Sequence, residues 1–391
     1  MTPATFRNPI EPMGPYYSEA DLNDEPVSRE STAALEKLIQ EAEGSLACEL
    51  KEDGFRCQAH VDGKEVKLFT RGSGEFELRC FPEITEALQK LRLKKTIFDA
   101  ELRGAASKYG GFKAMQARAR YKGRISEKAL KEYLQTKPTA FPLQLVVFDV
   151  LMNKSIPLIG EANSCRRTVL EELISNNNTN DSNHTNGINE VIIPASRILA
   201  YTPQEISHFY NQKVREEHYE GVVLKSPVLE YLPGDKTHWV KLKKFETLDL
   251  VVLGLSGGKG AGVPFGQALV GTYHPKKKVY QTLGFVNLLR ENPVTGKLFA
   301  EEIYTLAGKT RTFHPKNVEV GSKKPEVYLT PHLVVEVRAM NIDQGNYFAC
   351  SEEGKNFYSL RIAHIKCIRE DKLPMQATTT EFVAKYYTMQ R

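Results

Sequence analysis

No apolar run in this 391-residue chain approaches the roughly 18 residues that cross a bilayer; the longest, Leu143 to Met152, is interrupted by Asp149. A membrane-spanning helix is therefore not expected, nor a membrane partner. Cysteine is sparse, and Cys48, Cys57, Cys80, Cys165, Cys350 and Cys367 are scattered without a Cys-x-x-Cys or a paired histidine spacing. That argues against a zinc site or a disulfide framework and favours a reducing, intracellular compartment, cytoplasm or nucleus. Met1 to Glu30 holds prolines and acids, with neither a secretory apolar stretch nor an Arg-rich transit pattern. Two phosphate-loop signatures are also missing. Gly308-Lys309-Thr310 has Ile303 where a P-loop needs glycine, and Gly257 to Gly262 lacks the third glycine of a dinucleotide fingerprint. Charge of one sign is lacking too: 53 basic against 48 acidic residues leave a net +5, which permits a polyanionic partner without demanding one.

What remains has the balance of a soluble globular enzyme, with 26% charged and 41% hydrophobic residues. The length suits two domains. Prolines 3, 9, 12 and 15 mark an irregular N-terminal strap, residues 1–45, which turns helical from Ser31 to Glu43. From 46 to 246, apolar-alternating strands mix with helices near 83–91, 124–135, 164–174 and 203–216. The last opens on Thr202-Pro203-Gln204-Glu205, a capping box with proline at the first helical position. This pattern predicts an α+β domain of antiparallel sheets. Asn176 to Asn189 is a polar low-complexity insertion expected to be a disordered loop. Residues 247–391 carry short strands between Gly- and Lys-rich turns, a small-barrel pattern such as an OB-fold, and end in a helix from Thr380 to Met389.

The chain is organised around Glu49-Leu50-Lys51-Glu52-Asp53-Gly54-Phe55-Arg56. A buried strand ends on Lys51, Asp53-Gly54 turns, and Phe55 begins the returning strand, so Lys51 is fixed by a sheet and aimed into a cleft. Such an amine is a nucleophile if burial or neighbouring cations, Arg56 among them, lower its pKa. In isolation the same letters also describe a solvated lysine beside a hairpin turn. Other strands end on charges as well: Glu101 in Phe98 to Gly104, Glu220 and Lys225 at the two ends of Glu220 to Lys225, and Lys241 and Lys243 on one face of Trp239 to Lys244. Taken together, Lys241, Lys243 and Arg56 suit triphosphate oxygens, Glu101 and Glu220 suit Mg²⁺, and Phe148 offers a ring for a base. Lys276 to Lys278 and Lys323-Lys324 are candidates for gripping a nucleic-acid backbone.

In order and spacing these segments, with Phe69-Thr70-Arg71, Val147-Phe148-Asp149, Ser359-Leu360-Arg361 and Arg369-Glu370-Asp371-Lys372, resemble the motifs of ATP-dependent DNA ligases over residues 46 to 387. The resemblance implies a nucleotidyltransferase domain followed by an OB-fold domain, with ATP and Mg²⁺ (or Mn²⁺) as cofactors and nicked duplex DNA as partner. It implies Lys51 as the adenylated nucleophile and Glu49 reading adenine. Arg56 and Arg71 would meet ribose or nick phosphate, Phe148 would stack on adenine, and Glu101 and Glu220 would serve metal and ribose. Lys225 falls within the same motif set, and Lys241 and Lys243 would hold the α-phosphate. Arg361, Arg369, Asp371 and Lys372 would orient pyrophosphate. Two departures stand out: Ile362-Ala363-His364-Ile365 replaces the usual Phe-Pro-Arg-Phe, shifting that duty to Arg361 or Lys366, and Lys236 stands where arginine is frequent. Larger ligases carry a helical DNA-binding domain in front, whereas about 45 residues precede Glu49 here, so a monomer aided by an accessory protein is expected. The rivals are an RNA guanylyltransferase, an RNA ligase, and an inactive nucleic-acid-binding scaffold.

Overall fold

Lys51 ends a strand whose neighbours are set by a single glycine. In the computed structural model, which describes residues 6, 8–17, 29–105, 111–175, 191–217, 219–243, 246–257, 263–307 and 311–389, the chain forms two units, Met1–Lys244 and Phe245–Arg391. The Asn-rich stretch 176–189, Lys244, Gly258 to Gly262 and the Gly308-Lys309-Thr310 signature lie outside the described residues.

In the first unit, β1 (Pro15–Tyr17), β2 (Leu46–Lys51), β3 (Phe55–Asp62), β4 (Glu65–Thr70), β5 (Thr96–Gly104) and β6 (Leu143–Asn153) are followed by β7 (Ile156–Pro157), β8 (Ile192–Pro194), β9 (Arg197–Ala200), β10 (Gly221–Lys225) and β11 (Trp239–Lys243). They make two sheets, ordered β1-β11-β10-β2-β9 and β4-β3-β5-β6-β7, with β8 beside β6. The period of two divides each strand between two faces. Cys48, Leu50, Val222, Leu224, Val240 and Leu242 face the helices Arg29–Glu41 and Pro203–Tyr210 and pack against Leu35, Ile39, Ile206 and Phe209. On the other sheet, Cys57, Ala59, Phe98, Ala100, Leu145 and Val147 pack against Ile84 and Leu88 of Pro82–Lys90 and Leu170 of Asn163–Ser175. The remaining faces of the two sheets meet through Ile97, Leu151, Met152, Val223 and Trp239. The N-terminal residues contribute to both layers: β1 pairs in parallel with β11, and Ile10 and Met13 join the layer between the sheets.

The second unit is a closed barrel. Its strands β12 (Glu246–Ser256), β13 (Gln267–His274), β14 (Val279–Asn287), β15 (Arg311–Thr312), β16 (Val318–Glu319), β17 (Val327–Leu329), β18 (Val334–Gln344) and β19 (Tyr358–Ile368) include five long ones. These pair in the ring β12-β13-β14-β19-β18-β12, with β14 and β19 parallel. The helix Phe299–Ala307 lies between the third and fourth of them and contributes Phe299, Ala300 and Ile303 to the barrel core. This is the five-stranded Greek-key closure of an OB-fold, as expected within an α+β chain. The strand β19 and the helices Gly111–Arg118 and Phe299–Ala307 were not placed by the sequence reading; Gly111–Arg118 mixes apolar positions with charges, whereas Phe299, Ala300, Ile303 and Ala307 do follow the helical period, a signal that was missed.

Candidate active site

Gly221 explains why Lys51 sits where it does. A Cβ on Gly221 would lie 2.3 Å from the Leu242 carbonyl oxygen, so only glycine lets β10 and β11 close here. Lys51 and Lys243 are the residues paired with Gly221 on its two sides. Both therefore converge on the preceding Glu220: Lys51 Nζ donates to its Oε2 at 2.6 Å, and Lys243 donates to Oε1. By the same register Glu49 and Lys241 both lie opposite Val223. One face of three strands thus carries Glu49, Lys51, Lys225, Trp239, Lys241 and Lys243, all of which line a cleft of about 450 Å³. The other sheet adds Arg56, Glu101 and Phe148, and Arg71 stands exposed at the rim.

Gly54 is needed for a different reason than its place in a turn suggests. Its φ is not positive, yet a Cβ there would fall 2.1 Å from the Leu102 carbonyl oxygen. The turn lies directly on β5, the strand of Glu101, which draws the two sheets' functional ends together.

The electrostatics correct one expectation. Lys51 is not depressed: burial disfavours its ammonium, but Glu220 and then Glu101 outweigh burial and raise its pKa. Arg56 is not the cation that tunes it. Its Nε and Nη2 bind the two carboxylate oxygens of the fully buried Asp99 at 2.9 and 2.5 Å. Lys241 is lowered instead, brought to about 8 by burial and by the neighbouring Lys243, Lys51 and Arg71, and burial also lowers Lys225, against the pull of Glu49. Glu101 is pushed up to about 8, mainly by burial, with Lys51 and Arg56 opposing and Glu220 and Glu52 adding to it. Glu220 is lowered, since Lys51 and Lys243 together overcome its burial.

Glu49 and Lys225 form a buried ion pair, each 2% exposed. The Lys225 ammonium also lies 4.7 Å from the Phe148 ring centroid and 4.2 Å from that of Trp239. Glu49 Oε1 is buried without a hydrogen-bond partner, the Arg197 guanidinium being 3.7 Å away. A buried acceptor left open on the wall of a cleft suits a donor on a ligand.

Among the described residues no three His, Cys, Asp or Glu side chains converge as a metal site. Glu220 nevertheless helps to raise Glu101, and both act on Lys51, a donor pair suited to a hard divalent cation that takes one or two carboxylates and completes its shell with phosphate and water.

In the second unit, Arg369 binds Asp371 at 2.9 and 2.8 Å, Asp249 at 2.9 Å and Glu336 at 3.3 Å. Lys372 also binds Asp249, and Lys366 binds Glu336 at 3.2 Å. Arg369 holds the Asp371 carboxyl at about 2. The structure thus joins Arg369, Asp371 and Lys372 in one network on the barrel, while Arg361 is exposed on β19.

Three residues of the first unit had no assigned role in the sequence reading. Asp99 and Tyr231 hold Arg56, and Trp239 stands edge-on to both Phe148 and Tyr231. For Asp99 and Trp239 the signal was present, since each lies inside a stretch already singled out, but their partners are far away along the chain.

A lysine at a sheet end, set among cations and carboxylates in a two-sheet domain and followed by an OB barrel, is the architecture of a nucleotidyltransferase. The chain belongs to the family described as ATP dependent DNA ligase domain, which matches residues 26–243. It is 29% identical over 376 residues to "Probable DNA ligase" of Dictyoglomus turgidum, covering 93% of this chain and 60% of that protein. It is 28% identical over 371 residues to "DNA ligase" of Thermococcus onnurineus, covering 93% and 58%. The chain therefore spans about 60% of the length of the curated relatives it matches. A solved structure named Pmar-Lig_PreS3 shares the fold, with a TM-score of 0.56 and 19% identity over 92% of this chain and 68% of that one.

Proposed function

We propose that the chain is an ATP-dependent DNA ligase that seals nicks through a lysyl-AMP intermediate. The observation that carries this reading is the placement of Lys51 in a cleft with Lys241, Lys243 and Arg56 on its walls, Glu220 in contact and Phe148 at hand for a base. In the first step the neutral Lys51 Nζ attacks the α-phosphorus of ATP. The N–P bond forms as the α–β anhydride breaks, pyrophosphate leaves, and the nitrogen loses one proton to the departing pyrophosphate or to water. AMP then passes to the 5′-phosphate of the nick, and the 3′-hydroxyl displaces it to form the phosphodiester. Each transfer gathers charge on phosphate oxygens, so fixed cations supply most of the stabilisation. Lys241 and Lys243 sit two residues apart on one face for that purpose. Glu49 Oε1 and the Phe148 ring are placed to read and stack adenine.

Glu101 and Glu220 are the residues that would hold Mg²⁺, which neutralises developing phosphate charge when bound. Without nucleotide Glu220 keeps Lys51 charged, and Lys243 competes for the same carboxylate. From the barrel, exposed Arg361 and the Arg369 network are the groups we assign to pyrophosphate. Nicked duplex DNA is the proposed substrate.

Incubation with labelled ATP or GTP and divalent metal tests the reading. ATP alone should label the chain, at Lys51, and Lys51→Ala should abolish labelling and sealing together. A Lys51→Ala protein that seals nicks at a comparable rate refutes it, and labelling by GTP would point to a capping guanylyltransferase.

A further inference from the structure

Resting on that reading, we infer that the segment 8–17 is a positioning strap for Arg56, acting through the Tyr231 hydroxyl and Asp99. The hydroxyl of Tyr231 has one proton to give and two lone pairs to receive with. Met13 N–H donates to it at 2.9 Å, and Arg56 Nη2 donates to it at 3.2 Å. Both neighbours are donors, so the single hydroxyl proton has one destination, Asp99 Oδ2 at 2.7 Å. Asp99 in turn takes Nε and Nη2 of Arg56. The Met13 amide thereby fills the hydroxyl's second lone pair, holding Tyr231 with its proton turned to Asp99 behind Arg56.

The strap is itself anchored. Ile10 N–H donates to Gln58 Oε1 at 2.9 Å and Gln58 Nε2 donates back to the Ile10 carbonyl at 2.6 Å. The Gly14 amide binds the Asp235 carbonyl at 2.7 Å, and Pro15 to Tyr17 continue as β1 along β11. Met13 is fully buried in the layer between the sheets, and Gln58 is paired with Asp99 across β3 and β5. The segment that closes this layer therefore also holds Arg56, which lines the cleft beside Lys51 and packs 5.0 Å from the Phe148 ring centroid.

A guanidinium gripped on two nitrogens has its plane fixed before substrate arrives, so less freedom is lost when it meets a phosphate. Asp99 and Tyr231 are positioning residues in this scheme. Neither needs to touch substrate.

The test uses the full chain and two variants: Tyr231→Phe, which removes only the hydroxyl, and Gln58→Met, which unties Ile10 without altering Tyr231, Asp99 or Arg56. Lysyl adenylation and the sealing of nicks by pre-adenylated protein are measured separately, with Arg56→Lys marking the step that depends on the guanidinium. In that same step Tyr231→Phe should need about tenfold, and Gln58→Met about threefold, more substrate for half-saturation, with plateau rates within about threefold and the other step unchanged. Gln58→Met should have the smaller effect, and it carries the test alone if Tyr231→Phe does not fold. Wild-type half-saturation in the variants, or equal loss in both steps alongside a lowered melting temperature, overturns the strap. A wild-type protein that forms no lysyl-AMP refutes the proposed ligase activity instead.

Discussion

Two lysines lining one cleft, Lys51 and Lys241, make opposite demands on their protons, and a short chemical labelling experiment separates them. Lys241 is lowered to about 8 by burial and by the cations around it, while Lys51 is raised above its ordinary value of 10.5. At pH 8 about half of Lys241 is then neutral, whereas less than roughly 0.3% of Lys51 is. Amine acylation follows the neutral fraction, so a brief pulse of acetic anhydride without nucleotide should modify Lys241 more than about a hundredfold faster. Raising the pH from 7 to 9 should speed labelling of Lys241 only about tenfold before it levels off. Labelling of Lys51 should climb about tenfold per unit throughout. Peptide mapping by mass spectrometry reads both sites in one sample. Equal or faster acylation of Lys51 would show that Glu220 does not hold its proton and would refute the electrostatic account. With ATP and magnesium present the adenylate should still appear on Lys51, because attack geometry, and not the resting proton, selects the nucleophile.

Other expectations follow from buried groups. Lys225→Met leaves Glu49 charged, buried and short of partners, and should cost about 3–5 kcal/mol; the double variant with Glu49→Gln should recover much of that in a denaturant titration, and full additivity of the two losses would contradict the pairing. His60 is fully buried and its pKa is lowered to about 4 by burial, despite the Phe6 carbonyl it contacts at 2.7 Å. The unfolded chain binds this proton near 6.5 and the folded chain refuses it until about 4, so stability present above pH 6.5 is lost as pH falls through that window, roughly 3 kcal/mol in all. His60→Phe should flatten the fall in denaturation midpoint between pH 7 and pH 5, and an unchanged slope would assign it to other groups.

The sequence alone was enough to determine the order of motifs, the α+β class, the barrel at the carboxyl end, the place of Lys51 at a strand end, and that of Lys241 and Lys243 on one face of another strand. These rest on periodicity and turn chemistry, which act over a few residues. The tertiary structure alone decided who faces whom. Lys51 meets Glu220 across 169 positions and Arg56 meets Asp99 across 43, so which cation tunes which amine could not be read from spacing. The same holds for the strap: Met13 and Tyr231 are 218 residues apart, and no local pattern marks a backbone amide as the partner of a distant phenol. A proton's position depends on charge and burial summed over everything within a few ångströms, and only folding brings those groups together.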